Sequence, residues 1–174
     1  KGVFNLVGGR GAVAGQALIS HPGIDLITFT GSVGTGSHIM QEAGKNLTKV
    51  NLELGGKAPA IVLKDADLEL AAQAIHASRV INTGQVCNCA ERVYVQREVH
   101  DDLVARLKQL FEATRYGDPS AEADLDMGPL VNQAGLDKVA QAVERAREQG
   151  ATIVTGGRRA DLPEGFHYLP TLIT

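Results

Sequence analysis

Residues 24–54 read IDLITFTGSVGTGSHIMQEAGKNLTKVNLEL, and this stretch decides the fold of the chain. A β-like apolar run over residues 24–29 leads into a glycine-containing turn, after which apolar residues recur at the spacing of a helix. Residues 49–54 then predict a second strand. A strand, a helix and another strand in this order are typical of an α/β fold with a parallel sheet.

The residues before this stretch show a similar order of elements. An apolar run at 3–7 predicts a short strand, Gly8-Gly9-Arg10-Gly11 predicts a turn, and apolar residues up to Ile19 recur at helical spacing. His21-Pro22-Gly23 then ends the helix. We therefore expect a βαβα alternation in the first part of the chain.

The rest of the chain continues the alternation. Either Asp65 or Asp67 is placed to cap the next helix. Gly55-Gly56 is the best candidate for a domain boundary, which predicts domains at 1–54 and 55–174. The elements predicted after this boundary are strands at 58–62, 92–96 and 151–154 and helices at 70–77, 99–111 and 133–149.

Composition and charge narrow the class of partner. The chain has 174 residues, of which 44% are hydrophobic, so it is long enough to bury a substantial core. Its 17 basic and 20 acidic residues are scattered, and no basic face for nucleic acid or anionic lipid is visible. We expect a small-molecule substrate, no nucleic acid and no membrane.

The two ends of the chain and its cysteines bear on its cellular setting. Residues 1–7 show neither a signal peptide nor a membrane span, and both ends are typical of a chain cut in mid-domain. Cys87 and Cys89 are too close in sequence for a good disulfide, so reduced thiols in the cytoplasm are expected. The five histidines lack ligand spacing, and we predict no metal site.

Residues 29–36, FTGSVGTG, follow a predicted strand and open a helix. Bare N–H groups and the helix dipole in this context can hold an anion such as a pyrophosphate, and Ser32 could add a hydroxyl donor. The glycine spacing departs from the dinucleotide-binding fingerprint, so a plain strand-to-helix turn is equally compatible with it. Gln16, after the earlier glycine segment, could face a cofactor or solvent.

Glu53 and Cys87 are the strongest candidates for chemistry. Glu53 stands in a strand that we expect to be largely buried, where a carboxylate is costly unless it is paired or functional, although a solvent-facing strand end is the alternative. Cys87 follows a polar turn, so its thiol could lie exposed near a helix start that favours reactivity. The alternative is an inert cysteine in the core.

The most specific signal lies in four segments, which are Phe29-Thr30-Gly31-Ser32, Leu52-Glu53-Leu54-Gly55-Gly56-Lys57, Asn82-Thr83-Gly84-Gln85-Val86-Cys87 and Met127-Gly128-Pro129-Leu130. Their order and spacing resemble the aldehyde dehydrogenase superfamily, over essentially all 174 residues. The resemblance implies the end of a Rossmann-like parallel-sheet cofactor domain, followed by the first part of an α/β catalytic domain.

The resemblance also implies roles for individual residues. It makes Cys87 the nucleophile, which forms a thiohemiacetal and then a thioester, and it makes Glu53 the base that activates water to hydrolyse the thioester. Asn88, beside the nucleophile, is expected to touch substrate. The residues expected at the site of NAD or NADP, with NAD favoured, are Gly31, Ser32, Gly36, Gln16 and Leu54.

Residues 85–92 are similar to the subgroup that acts on lactaldehyde, glycolaldehyde and related short hydroxyaldehydes. The resemblance implies a dimeric or tetrameric parent protein. Other functional residues of the family have no counterpart in this chain, so the alternative is an inactive fold fragment that binds nucleotide weakly at most. Retention of Glu53 argues against a dehydrogenase that passes the thioester to coenzyme A.

Overall fold

The computed structural model describes residues 2–174. They form two compact units, one that ends at Gly56 and one that spans Lys57–Thr174. Each unit contains a pair of parallel strands, in agreement with the predicted α/β fold. The assignment of residues 1–54 and 55–174 to a cofactor domain and a catalytic domain stays a prediction. Across the described residues, no helix is both long and apolar enough to cross a membrane.

The first unit contains two strands around one long helix. The two strands are parallel, and their last residues, Thr30 and Glu53, lie opposite each other. The helix between them buries Ile39 and Ala43, the residue types that gave the sequence its helical spacing. The elements are a π-helical turn at Gly11–Gly15, α1 at Gln16–Ile19, β1 at Leu26–Thr30, α2 at Val33–Asn46 and β2 at Lys49–Glu53.

The strand predicted at residues 3–7 is wrong, because these residues form a bend and irregular backbone outside any strand. Val3, Phe4 and Leu6 are 86% to 96% exposed. An apolar run becomes a strand only where another segment completes its hydrogen-bond ladder, and within the described residues none pairs with it. The following helix is found, as the π-helical turn and α1 together.

The second unit is built on a strand, a helix and a second strand parallel to the first. Leu103 and Leu107, which belong to a later helix, are almost completely buried against Val62, Ala72 and Ile75. The elements are β3 at Ala58–Val62, α3 at Leu68–Val80, a 3-10 turn at Ile81–Gly84, β4 at Ala90–Val95, a 3-10 turn at Arg97–Val99, α4 at His100–Ala113, α5 at Gln133–Glu148, β5 at Ile153–Thr155 and β6 at Leu172–Ile173.

Strand β6 is the element that the pattern of the sequence does not predict. It has two residues and pairs antiparallel with β5, so it is too short to show a period of its own. The other predicted strands and helices of this unit are confirmed, with bounds that differ by a few residues at their ends.

The pairing of β3 and β4 contains a β-bulge. The register shifts between Ala58 and Pro59, which leaves Glu91 as an extra residue on β4. Pro59 has no N–H to give to the ladder, so the irregularity lies where a regular hydrogen bond is missing in any case. The Glu91 carboxylate accepts instead from Lys57 Nζ, with 2.6 Å between N and O.

Candidate active site and cofactor-binding site

The glycine turn and the candidate base lie at the same edge of the first sheet. Gly31 N–H donates to the carbonyl oxygen of Glu53, with 3.0 Å between N and O. This follows from the parallel register, because the carboxyl ends of both strands lie side by side. In open parallel sheets this edge is where ligands bind.

Ser32 is the N-cap of α2. Its Oγ accepts from Thr35 N–H at 3.2 Å and lies 2.9 Å from Thr35 Oγ1. The hydroxyl therefore satisfies one of the free donors of the first helical turn. The expected position of Ser32 at the opening of a helix is confirmed by this geometry, and its contact with a cofactor stays a prediction.

Gly36 and Gly31 lie where side chains of their own unit leave no space for a Cβ atom. A Cβ on Gly36, which is buried in α2, would stand 2.6 Å from Leu54 Cδ2. A Cβ on Gly31 would collide with the ring of Phe29. At these positions glycine thus serves the packing of helix, turn and strand, and Gly36 and Leu54 are brought into contact.

A cavity of about 770 Å³ lies within the first unit. Residues of β1 form much of its wall, and the π-helical turn, α1 and α2 contribute most of the rest. Gly11, Gly15 and Gly34 line it, and a Cβ at any of them would meet no heavy atom within 4 Å. Glycine therefore keeps space open here, unlike at Gly31 and Gly36.

Gln16 is the predicted cofactor residue that lines this cavity. Its Nε2 donates to Glu42 Oε2 at 3.1 Å, and its Oε1 accepts from His38 Nε2 at 2.6 Å. The hydrogen bond from Lys45 lowers the pKa of Glu42, so the carboxylate stays charged as the acceptor. Sequence reasoning missed His38 and Glu42, although their spacing of four residues places them on one face of α2.

Glu53 is exposed, which corrects the expectation of a largely buried strand. The residues of β2 alternate between exposed and half-buried, and Glu53 falls on the exposed side. A strand that is covered on one face alternates in this way, whereas a strand covered on both faces would be buried along its length. The solvent-facing alternative therefore describes the side chain in this unit.

Cys87 is exposed in a turn of the second unit, between the 3-10 turn and β4. The expectation of a helix start at this position is wrong, because a strand follows the turn. Cys89 is 3% exposed, and its Sγ lies 3.9 Å from the carbonyl oxygen of Ile81. The two free thiols therefore have opposite environments. Asn88, between them, is exposed.

The turn that carries Cys87, residues 82–89 and called the Cys87 turn below, begins with three left-handed residues. The φ angles are 46° at Asn82, 59° at Thr83 and 72° at Gly84. A β-branched residue rarely adopts this conformation, and such strain is concentrated at functional sites. Thr83 Oγ1 donates to the carbonyl oxygen of Gly128 at 3.0 Å, which ties the turn to a distant segment.

Gln85 makes a second tie between the same parts of the chain. Its Oε1 accepts from Val131 N–H at 2.9 Å, and its Nε2 donates to the carbonyl oxygen of Asn82 at 3.1 Å. Sequence reasoning quoted Gln85 and Gly128 as parts of separate motifs but did not predict that they lie together. In the described part of the chain, no group of three potential metal ligands is present.

Comparison with known proteins identifies the family. The sequence pattern of the Aldehyde dehydrogenase family matches residues 1–174. The chain is 54% identical over 173 residues to lactaldehyde dehydrogenase of Escherichia coli (strain K12), covering 99% of the chain and 36% of that protein. It is 42% identical over 177 residues to D-glyceraldehyde dehydrogenase (NADP(+)) of Thermoplasma acidophilum, covering 99% of the chain and 35% of that protein.

Solved structures show the same fold. The crystal structure of lactaldehyde dehydrogenase from Escherichia coli superimposes with a TM-score of 0.95 at 55% identity, over 99% of this chain and 36% of that one. An NAD+ complex of an aldehyde dehydrogenase from Bacillus cereus gives a TM-score of 0.90 at 38% identity, over 95% of this chain and 33% of that one. The chain spans about a third of the length of these relatives, and it belongs to the aldehyde dehydrogenase family.

Proposed function

We propose that the full-length protein carrying this sequence oxidises an aldehyde to a carboxylic acid, with NAD or NADP as hydride acceptor. The observation that carries the proposal is the environment of Cys87. Its thiol is exposed at the tip of a strained, tied-down turn, while Cys89, two residues away, is buried. A nucleophile needs this access, and a structural cysteine does not.

The first step is attack by the Cys87 thiolate on the aldehyde carbonyl carbon. A carbon–sulfur bond forms, and the electron pair of the C=O bond moves to oxygen. The backbone N–H of Cys87 donates no hydrogen bond to any of residues 2–174. It is therefore free to stabilise the developing oxyanion of the thiohemiacetal.

The cavity of the first unit fits part of a dinucleotide. Its volume of about 770 Å³ lies within the usual range for small-molecule sites, and glycines keep its wall open. We assign Gln16 to its polar side, and Gly31, Ser32, Gly36 and Leu54 to the adjoining turn and its support. When bound, the dinucleotide supplies the hydride acceptor that oxidises the thiohemiacetal to a thioester. NAD is the favoured cofactor.

Glu53 acts in the last step as the general base. Its carboxylate takes a proton from water, the water oxygen attacks the thioester carbon, and the carbon–sulfur bond breaks to return the Cys87 thiolate. Exposure of Glu53 in this unit is compatible with access to water. Its fixed position beside Gly31, through the backbone hydrogen bond, joins the base to the cofactor turn.

For the substrate we propose a short hydroxyaldehyde. Relatives that match nearly the whole chain include a lactaldehyde dehydrogenase and a D-glyceraldehyde dehydrogenase. Asn88 is exposed next to the nucleophile and has the amide groups to meet a substrate hydroxyl. We further propose a cytoplasmic dimer or tetramer.

The Glu53→Gln variant of the full-length protein tests whether Glu53 acts only in hydrolysis of the thioester and Cys87 in its formation. We expect one rapid burst of reduced cofactor per site, followed by turnover at least about 100-fold slower than wild type, because general-base catalysis contributes that much. Mass spectrometry should find the acyl group on Cys87. A Cys87→Ser variant should give no burst. Unchanged turnover in either variant would remove the corresponding residue from the mechanism.

Asn88→Ala tests the substrate contact separately. Loss of a substrate-binding amide should raise KM for lactaldehyde, and this increase should be roughly 10-fold larger than the increase in KM for propionaldehyde, which lacks the hydroxyl group. If the variant changes the kinetics of both aldehydes by the same factor, Asn88 does not bind the substrate hydroxyl.

A further inference from the structure

The side chain of Gln85 lies between two backbone segments and bonds to both. Its carbonyl oxygen accepts from Val131 N–H, and its amide nitrogen donates to the Asn82 carbonyl, with heavy-atom distances of 2.9 and 3.1 Å. The Gln85 backbone N–H also donates to Asn82, at 3.1 Å. Gln85 therefore links two positions of the Cys87 turn and fixes the turn to the residues that precede α5.

A side-chain amide is suited to this position because it offers an acceptor and a donor at one end. Val131 supplies an N–H and Asn82 supplies a C=O, so the two contacts demand opposite hydrogen-bonding groups. The contact with Val131 joins residues 46 positions apart in the sequence. A local turn preference cannot supply such a contact.

These contacts matter because the backbone of the turn is strained. Asn82 and Thr83 both hold left-handed backbone conformations without being glycine. Such a conformation is unfavourable for a residue other than glycine, and it persists only where the surrounding structure enforces it. The ties from Gln85 to Val131 and from Thr83 to Gly128 are the enforcing contacts that the described chain provides.

We propose that Gln85 is a positioning residue for the Cys87 nucleophile, an inference that rests on the proposed function. By holding the strained turn against residues 128–131, Gln85 keeps the thiol and the free N–H of Cys87 in the orientation that attack on the carbonyl requires. It acts through the backbone and touches no reacting atom. Its effect is therefore on kcat and on thiol reactivity.

The test compares Gln85→Met with Gln73→Met in the full-length protein. Methionine has similar length but makes neither hydrogen bond. Gln73 is an exposed glutamine on α3 that bonds only to Glu69 within residues 2–174, so it is the matched control. The measurements are kcat, KM for lactaldehyde, the dissociation constant of NAD, and the alkylation rates of Cys87 and Cys89 by iodoacetamide.

For Gln85→Met we expect kcat to fall about 10- to 100-fold, because small misplacement of a reacting group costs this much. The rate of Cys87 alkylation should change together with kcat, whereas KM and the NAD dissociation constant should stay within about twofold of their wild-type values. Cys89 should remain protected. Wild-type kcat would overturn the inference, and so would an exposed Cys89, since Gln85 would then hold the fold of the turn and not the thiol.

Thr83→Val supplies a second variant if Gln85→Met does not fold. It keeps the shape of the side chain and removes the hydroxyl that bonds to Gly128. Because both ties hold one turn, we expect the same loss of kcat at constant KM, and wild-type kcat would again overturn the inference. If Cys87→Ser is active, the proposed function fails. If Cys87→Ser is inactive while Gln85→Met and Thr83→Val are fully active, only the positioning role fails.

Discussion

Gly36 packs directly against Leu54, and a methyl group on Gly36 would lie 2.6 Å from Leu54 Cδ2 and 2.9 Å from Cδ1. The two residues join α2 to the end of β2, one residue after Glu53. The fit between them thus determines how the helix of the glycine turn lies against the strand of the candidate base.

This contact predicts that Gly36→Ala destabilises the wild-type protein but stabilises a Leu54→Ala variant. Gly36→Ala alone should lower the free energy of unfolding by about 1 kcal/mol, because overpacking costs about 1 to 3 kcal/mol and the gain in helix propensity is about 1 kcal/mol. In a Leu54→Ala background the same change should raise it by roughly 0.5 to 1 kcal/mol. Urea unfolding of the four proteins measures the difference. Equal effects in both backgrounds would show that the contact does not limit residue 36.

The two aspartates before α3 should differ in their contribution to the free energy of unfolding. Asp67 Oδ1 accepts from the N–H groups of Glu69 and Leu70, both at 3.1 Å, which makes Asp67 the N-cap. Asp67→Ala should therefore cost about 1 kcal/mol of stability. Asp65→Ala, two residues earlier and outside the cap, is the control and should change it by less than about 0.5 kcal/mol. Equal losses would contradict this assignment.

The two cysteines should differ strongly in reactivity. Iodoacetamide should label Cys87, which is exposed, at least about 100-fold faster than Cys89, which is buried and lies against the Ile81 carbonyl. Peptide mapping of the native full-length protein, with and without NAD, gives both rates. Cys87→Ser should abolish the fast phase. Similar rates for both thiols would mean that the turn opens freely.

His76 predicts a dependence of stability on pH. Burial lowers the pKa of His76, and the charge of Asp126 opposes this shift. Thr114 Oγ1 donates to the Leu110 carbonyl, so it accepts from His76 Nε2–H, a bond that the neutral imidazole can make. The Phe111 ring covers another side, with 5.6 Å between ring centroids.

The sign follows from linkage. The unfolded chain has a histidine pKa near 6.5, so between this value and the lower folded-state pKa of His76 the unfolded state binds more protons. The contribution of His76 is fully present above about pH 6.5 and is lost as the pH falls through the folded-state pKa. His76→Gln should flatten the fall of unfolding free energy as the pH drops below about 6.5. An unchanged slope would mean that folding does not shift the pKa of His76.

The sequence predicts elements better than environments. The order of strands and helices followed from apolar spacing, and the resemblance supplied Cys87 and Glu53. The sequence leaves the exposure of Glu53 as one of two alternatives, because it depends on which surfaces cover β2, and spacing along one strand does not reveal these surfaces. The strand at residues 3–7 failed for the same reason, since pairing is not local.

The Cys87 turn shows a different limit of prediction from sequence. Asn82 and Thr83 carry no sign of left-handed backbone, because neither is glycine and Thr is β-branched. Their conformation is held by Gly128 and Val131, which lie more than 40 positions away. Only the folded chain brings these residues together, so a motif-based reading could name Gln85 without finding its contacts.

The bulge at Glu91 lets β4 carry one residue more than the matching part of β3. Ala90 stays opposite Ala58 and Arg92 stays opposite Pro59, so the pairing continues on both sides of Glu91. Glu91 and Arg92 are both exposed, whereas half-buried and exposed residues alternate in the rest of the strand. A deletion of Glu91 would restore this alternation and keep every strand partner, so β4 can shorten here without a change of register, and what it loses is the ion pair with Lys57.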